Sequence, residues 1–360
     1  MKINQLKKYN VKYHIECIRI IAILFVIFNH TGTKGFFLFS IREESPFYWL
    51  YLFISILCKI AVPLFYMISG ALLLPKEESI RDLYKKRILR FLIVILFFSF
   101  IQYIFLIYKK HTGFNILEYF RMVYSTNMAG TYWYLYSYLG ILVMLPLLRK
   151  MVRVMNYKDY YYLLICQFVL ISVIPILQFL VGRGNYSLNS SFSAPLITAS
   201  SIFFFLMGNF LENILEEKEF NFGRAVLFIF SSIIAILISC FMTNYRAQIM
   251  GRCIEGDSQM FHNTLISIPT LTTYYCVKCY FIKWNLKDNV KIFLSYIGGL
   301  TFGIMLFENI LRSELEFIYR GLSTYLGSIF SCGIYVVVVF FCGAIITAIL
   351  KLTPWIKKLI

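Results

Sequence analysis

The sequence predicts an all-α polytopic membrane protein: a single bundle of about ten transmembrane helices with both termini cytoplasmic. Three observations carry this. Of 360 residues, 59% are hydrophobic and only 15% charged, the mean hydropathy is +0.72, and the apolar residues collect in stretches long enough to cross a hydrocarbon core. This excludes an ordinary soluble domain. The 19% aromatic content, with Gly 19 and Pro 8, also excludes collagen-like and disordered chains.

The first element follows a basic lead of Lys2, Lys7, Lys8 and Lys12, carries Arg19 and runs to Asn29-His30 without a small-residue cleavage site. It reads as a retained helix, not a removed leader. Nine further apolar stretches lie at roughly 47–74, 89–108, 131–147, 159–181, 195–214, 225–243, 263–283, 292–311 and 324–350. Short polar connections separate them, with no repeat, linker or long polar tail, so residues 1–360 form one domain without a fused soluble domain.

Lys+Arg 35 against Asp+Glu 18 gives a net charge of +17. In a soluble chain that would suggest nucleic acid; here it marks cytoplasmic loops, and no nucleic-acid partner is expected. With the N-terminus inside, basic residues on alternate sides divide 23 to 10, leaving Lys59 and Lys278 within spans. The nine cysteines lie mostly in apolar runs. Cys276 and Cys279 form one CxxC pair with no second pair or nearby His, so neither a disulfide framework nor a metal site is expected.

Several polar residues stand where lipid would be costly. Arg19 and His30 are eleven apart; on a helix they fall within about 20° of one face and about 16 Å apart along it. Two readings remain: both line one interior polar shaft, or Arg19 pairs with Glu16 at the cytoplasmic end while His30 sits in the following loop. Arg87 and Arg90 lie on one side of a helix start in a basic hairpin, where they could grip phosphate oxygens or mark topology and lipid contact. Thr131 to Tyr136 resembles an interfacial aromatic belt. Glu308, late in an apolar run, is a buried functional acid or an outer-rim residue.

Together these residues resemble the acyltransferase 3 family of integral membrane acyltransferases, which includes bacterial surface-polysaccharide and peptidoglycan O-acetyltransferases. The likeness spans nearly the whole chain. Glu16, Arg19 and His30 resemble the family's opening of an acid, an Arg and, after ten intervening residues, a His. Val62 to Gly70 is similar to its "VPLFFxISG" stretch, and Arg87-Ile88-Leu89-Arg90 carries its RxxR motif. Tyr132 to Leu135 with Pro146 resembles "WFL…P", and Phe204 to Leu211 resembles "FFLLGYYL". One departure stands out: where the family often reads "FGIYLIH", Phe302 to Glu308 ends in Glu, so a His role is not carried over.

The resemblance implies transfer of an acetyl or other short acyl group from cytoplasmic acyl-CoA, acetyl-CoA foremost, to a hydroxyl of an extracytoplasmic or lipid-linked polysaccharide. It implies a bacterial cell-membrane location with no metal. Arg87 and Arg90 would bind the nucleotide phosphates, and His30 would take the acceptor proton or form an acyl-imidazole. Arg19 would orient the donor or steady negative charge, with Glu16 as its structural partner, and Glu308 is a further catalytic candidate. Tyr132, Trp133 and Tyr134 are candidates to stack on sugar rings. Many relatives continue into an esterase-like domain, whereas this chain ends at Ile360, so it would deliver the acyl group itself or pass it to a separate extracytoplasmic protein. The main alternative is a carrier or flippase for lipid-linked saccharide, which needs intramembrane charge but not Arg19, His30 and the Arg87/Arg90 pair together. A noncatalytic binding module is the other.

Overall fold

Apolar runs broken by Gly pairs and charged clusters fold as helices, and no strand occurs among the described residues. The computed structural model describes residues 12–182, 194–249, 262–284 and 286–360. Of the charges that orient the chain, Lys2, Lys7, Lys8, Arg183 and Arg252 lie outside them.

The main helices are α1 (Tyr13–Asn29), α2 (Tyr48–Cys58), α3 (Ala61–Leu73), α4 (Ile80–Lys110), α5 (Ile116–Ser125), α6 (Gly130–Val154), α7 (Tyr157–Val181) and α8 (Ser200–Asn209). There follow α9 (Phe222–Ile249), α10 (Ser267–Lys283), α11 (Asp288–Gly298), α12 (Thr301–Glu314), α13 (Glu316–Leu326), α14 (Ser328–Leu350) and α15 (Pro354–Leu359). Each predicted apolar stretch is helical. Among the described residues six helical segments are long and apolar enough to cross a membrane, namely α2–α3, α4, α6, α7, α9 and α14, or seven if α11 and α12, bent by 55°, act as one. The expectation of ten also counted α1, α8 and α10, which are shorter than a full crossing segment.

The shortness of α1 has a packing reason. It touches α2, α3, α10, α11, α12 and α14, and Ile18, Ala22, Ile23 and Ile27 are wholly buried. A helix surrounded by helices meets little lipid, so its polar residues face protein and cavities. Around it, α3 crosses α8 at two glycines: a methyl group added at Gly70 would land on the Phe205 carbonyl oxygen, and one at Gly208 on the Met67 carbonyl oxygen. Small residues of this kind let helix backbones meet in a bilayer, where apolar side chains gain little over lipid contact.

The bend between α11 and α12 falls at Gly298-Gly299, and Gly298 leaves room for the Glu16 carboxylate of α1. Lys351 Nζ donates to the Gly299 carbonyl at 2.6 Å, and Arg90 Nη2 to the Leu359 carbonyl at 3.1 Å. The first turns of α1 and α4, the bend and α15 therefore gather at one end of the bundle. The end of α1, the start of α6 and the last turns of α12 meet at the other.

Candidate active site

At the first end, a cavity of about 430 Å³ is lined by Arg19, Lys76, Lys86, Arg87 and Arg90, backed by Phe91 and Tyr138. The two arginines share it as their spacing predicts. Neither is free: Arg87 Nε donates to both Glu78 oxygens at 2.8 and 3.0 Å, and Arg90 is held by the Leu359 carbonyl. Arg149, buried in α6, braces the pair by donating Nη2 to Glu78 at 3.0 Å and Nε to the Leu73 carbonyl at 3.0 Å. The bonds from Arg87 use Nε alone, so its terminal nitrogens remain available for an anion.

Burial raises the Glu78 carboxyl, but hydrogen bonds and charge from Arg87 and Arg149 outweigh it and hold Glu78 below its ordinary value of 4.5. A depressed carboxyl contributes stability that is present above the ordinary value and lost as pH falls through the folded one. The thermal midpoint in detergent should therefore drop between about pH 5 and pH 3, and Glu78→Gln should flatten that drop; parallel curves for the two proteins would refute the bracing role.

At the opposite end, a second cavity of about 550 Å³ is lined by Asn29, His30, Lys59, Trp133, Ser137 and Ser200, among others. Phe65, Tyr134 and Met305 line both cavities, and this shared wall is the neck between them. Each volume suits a small-molecule site.

His30 follows the last residue of α1 and caps that helix. Its Nδ1 faces Glu308 Oε1 at 3.7 Å. Glu308 is 0% exposed, and its other oxygen accepts from Arg312 Nε at 2.5 Å. Arg312 Nη1 also donates to the backbone carbonyl of His30. His30 Nδ1 and Glu308 Oε1 are both buried and have no hydrogen-bond partner among the described residues. They stand beyond hydrogen-bond range but within reach of a small shift.

The two readings of Arg19 and His30 each hold in part. Arg19 does pair with Glu16, at 2.8 Å, and His30 does lie just past the helix, yet both line cavities. They lie on opposite sides of the neck, so the single shared shaft is corrected to two chambers. Glu308 is a buried acid and not a rim residue.

The aromatic cluster divides. Trp133, 43% exposed, lines the histidine cavity, and Tyr134 lines the neck. Tyr132 is corrected: it is 0% exposed and lines neither cavity. Its hydroxyl donates to the Leu306 carbonyl at 2.8 Å, which also accepts from Gln102 at 3.3 Å. Tyr132 thus ties α6 to α12 and cannot stack on a sugar.

Sequence reasoning missed Lys76, Lys86, Glu78 and Arg149 as parts of the basic chamber, and it did not single out Arg312. For Arg312 a signal existed, since it lies four residues after Glu308 and one helical turn brings the two together. No comparable signal marks Arg149, whose partner is 71 residues away.

The family model described as an acyltransferase domain, that of the acyltransferase 3 family, matches residues 12–352. No curated protein and no solved structure matches the chain significantly. The match takes in His30, Glu308 and the whole basic chamber except Leu359 and Ile360. With nearly all of the chain covered, the protein belongs to the acyltransferase 3 family and is a membrane acyltransferase.

Proposed function

We propose that the protein moves an acetyl or other short acyl group from cytoplasmic acyl-CoA to a hydroxyl of a surface or lipid-linked polysaccharide, across a bacterial cell membrane crossed by about ten helices. The observation that carries this reading is the pair of chambers meeting at Phe65, Tyr134 and Met305, one rich in cations and the other holding His30. Phosphates of the donor nucleotide suit Arg87, Arg90, Lys76 and Lys86. The unbranched pantetheine arm would have to pass between these three side chains. Its thioester then meets the acceptor in the histidine cavity, where Trp133 offers an aromatic face to a pyranose.

With Nδ1 turned to Glu308, Nε2 of His30 is the nitrogen left for the substrate. The acceptor oxygen attacks the thioester carbonyl carbon while Nε2 takes the hydroxyl proton. The C–S bond then breaks, and the proton returns to the departing thiolate, releasing CoA with a free thiol. Glu308 stabilises the imidazolium formed between these steps. Attack by His30 itself, giving an acyl-imidazole, is the covalent variant of the same chemistry.

The test is transfer of label from [acetyl-14C]acetyl-CoA into base-labile glycan esters by membranes containing the protein. Arg87→Ala/Arg90→Ala should raise the KM for acetyl-CoA by roughly a hundredfold to ten-thousandfold, since bonds to charged groups contribute about 1.5–3 kcal/mol each and two are removed. Membranes that neither bind acetyl-CoA nor incorporate label would instead favour the carrier reading.

A further inference from the structure

We infer that Arg312 is a positioning residue for acyl transfer: one guanidinium fixes both the base and its acid, holding Glu308 by the side chain and His30 by the backbone. The inference rests on the acyl-transfer reading of this site.

The sequence places Glu308 and Arg312 one turn apart on α12, and packing puts that turn against the end of α1. A carboxylate buried as completely as Glu308 cannot stay ionised without a cation and hydrogen bonds. Arg312 Nε supplies both at Oε2. That leaves Oε1, without a hydrogen-bond partner among the described residues, facing the imidazole at 3.7 Å. Meanwhile Nη1 of the same guanidinium holds the His30 carbonyl. The gap between Oε1 and Nδ1 is thus set by one planar group and not by two independent side chains.

The guanidinium is itself braced. Nη2 lies 3.4 Å from Asn309 Oδ1, Asn309 Nδ2 donates to Gln102 Oε1 at 3.1 Å, and the Arg312 carbonyl accepts from Tyr335 OH at 2.6 Å. Four helices therefore converge on the register of one acid and one base. A lysine here would supply charge but not the fork that reaches carboxylate and carbonyl together.

The chemical consequence concerns the tautomer. An Nδ1–H held toward Glu308 keeps the Nε2 lone pair on the substrate side. Without Arg312, nothing would fix Oε1 of Glu308 opposite Nδ1, and the imidazole would lose the neighbour that sets its tautomer. The charged groups facing His30 are Glu308 and Arg312 from α12 and Lys59 from the α2–α3 break.

The experiment compares steady-state transfer by the full chain in membranes for wild type, Arg312→Gln, Arg312→Lys, Glu308→Gln and the double variant Glu308→Gln/Arg312→Gln. Arg312→Gln should lower kcat by roughly 10–100-fold, the range seen when an outer-shell partner is lost. The KM for acetyl-CoA should stay within about twofold, because the basic chamber is untouched. Arg312→Lys should recover part of kcat, and the double variant should be no slower than the worse single one. The pH dependence of kcat should also change shape in Arg312→Gln, as the base loses both the guanidinium charge and the fixed carboxyl beside it.

An unchanged kcat and pH profile in Arg312→Gln would overturn the inference while leaving the transfer reading intact, as would fully additive losses in the double variant. A wild type that transfers nothing would overturn the transfer reading, and this inference with it. If Arg312→Gln fails to fold by size-exclusion chromatography, Arg312→Lys against Glu308→Gln decides: a reduced kcat at constant KM in both supports positioning, and a wild-type kcat in both refutes it.

Discussion

Replacing His30 with Gln is expected to lower acyl transfer by about 10²–10⁴-fold, the range that a general base contributes, with acetyl-CoA binding unchanged. The side chains are close in size, so the histidine cavity keeps its shape, and the amide still offers a hydrogen bond. What disappears is a group able to take a proton near neutral pH. Because His30 and the basic chamber lie on opposite sides of the neck, the loss should fall in kcat and spare KM. Equal losses in both would mean that His30 serves donor binding. Transfer at the wild-type rate, with matched protein levels, would remove it from the mechanism.

The second large effect is structural. Gly70→Ala and Gly208→Ala should each abolish or severely reduce folded protein, read as yield and melting midpoint by fluorescence-detected size exclusion. Overpacking a core typically costs about 1–3 kcal/mol, and these sites should exceed that because each new methyl group meets the backbone carbonyl of the opposing helix. A side chain can rotate away, whereas a carbonyl moves only with its helix. Gly333→Ala within α14 is the control: nothing lies within 4 Å of its added methyl group, and alanine is the better helix former by up to about 1 kcal/mol. Equal midpoints for all three variants would show that α3 and α8 can separate.

Much of this architecture was legible because lipid imposes a simple rule: apolar stretches of sufficient length become helices. The same rule marks Arg19, His30 and Glu308 as anomalies, and all three line or abut a chamber. It does not say what an anomaly touches. Tyr132, Trp133 and Tyr134 are consecutive and chemically alike, yet the turn into α6 sends them to the interior, a cavity wall and the neck. Hydropathy also hides breaks. The stretch 47–74 reads as one run, but it parts around Lys59-Ile60, and that break delivers Lys59 to the histidine cavity. Glu78 and Arg149 meet because the connection between α3 and α4 lies against α6, a pairing that no local spacing encodes.

The neck of Phe65, Tyr134 and Met305 has an electrical consequence in a membrane crossed by two vestibules. Where electrolyte enters a protein from both sides, the transmembrane voltage drops mostly across the thin layer that separates the two solutions. A neutral acetyl thioester would pass that layer without electrical work. An anionic acyl group such as succinyl would feel most of the field, up to about 2.3 kcal/mol per 100 mV for one charge. In an inside-negative cell, the same layer of three side chains would bias charged donors outward and leave neutral ones indifferent to the state of energisation.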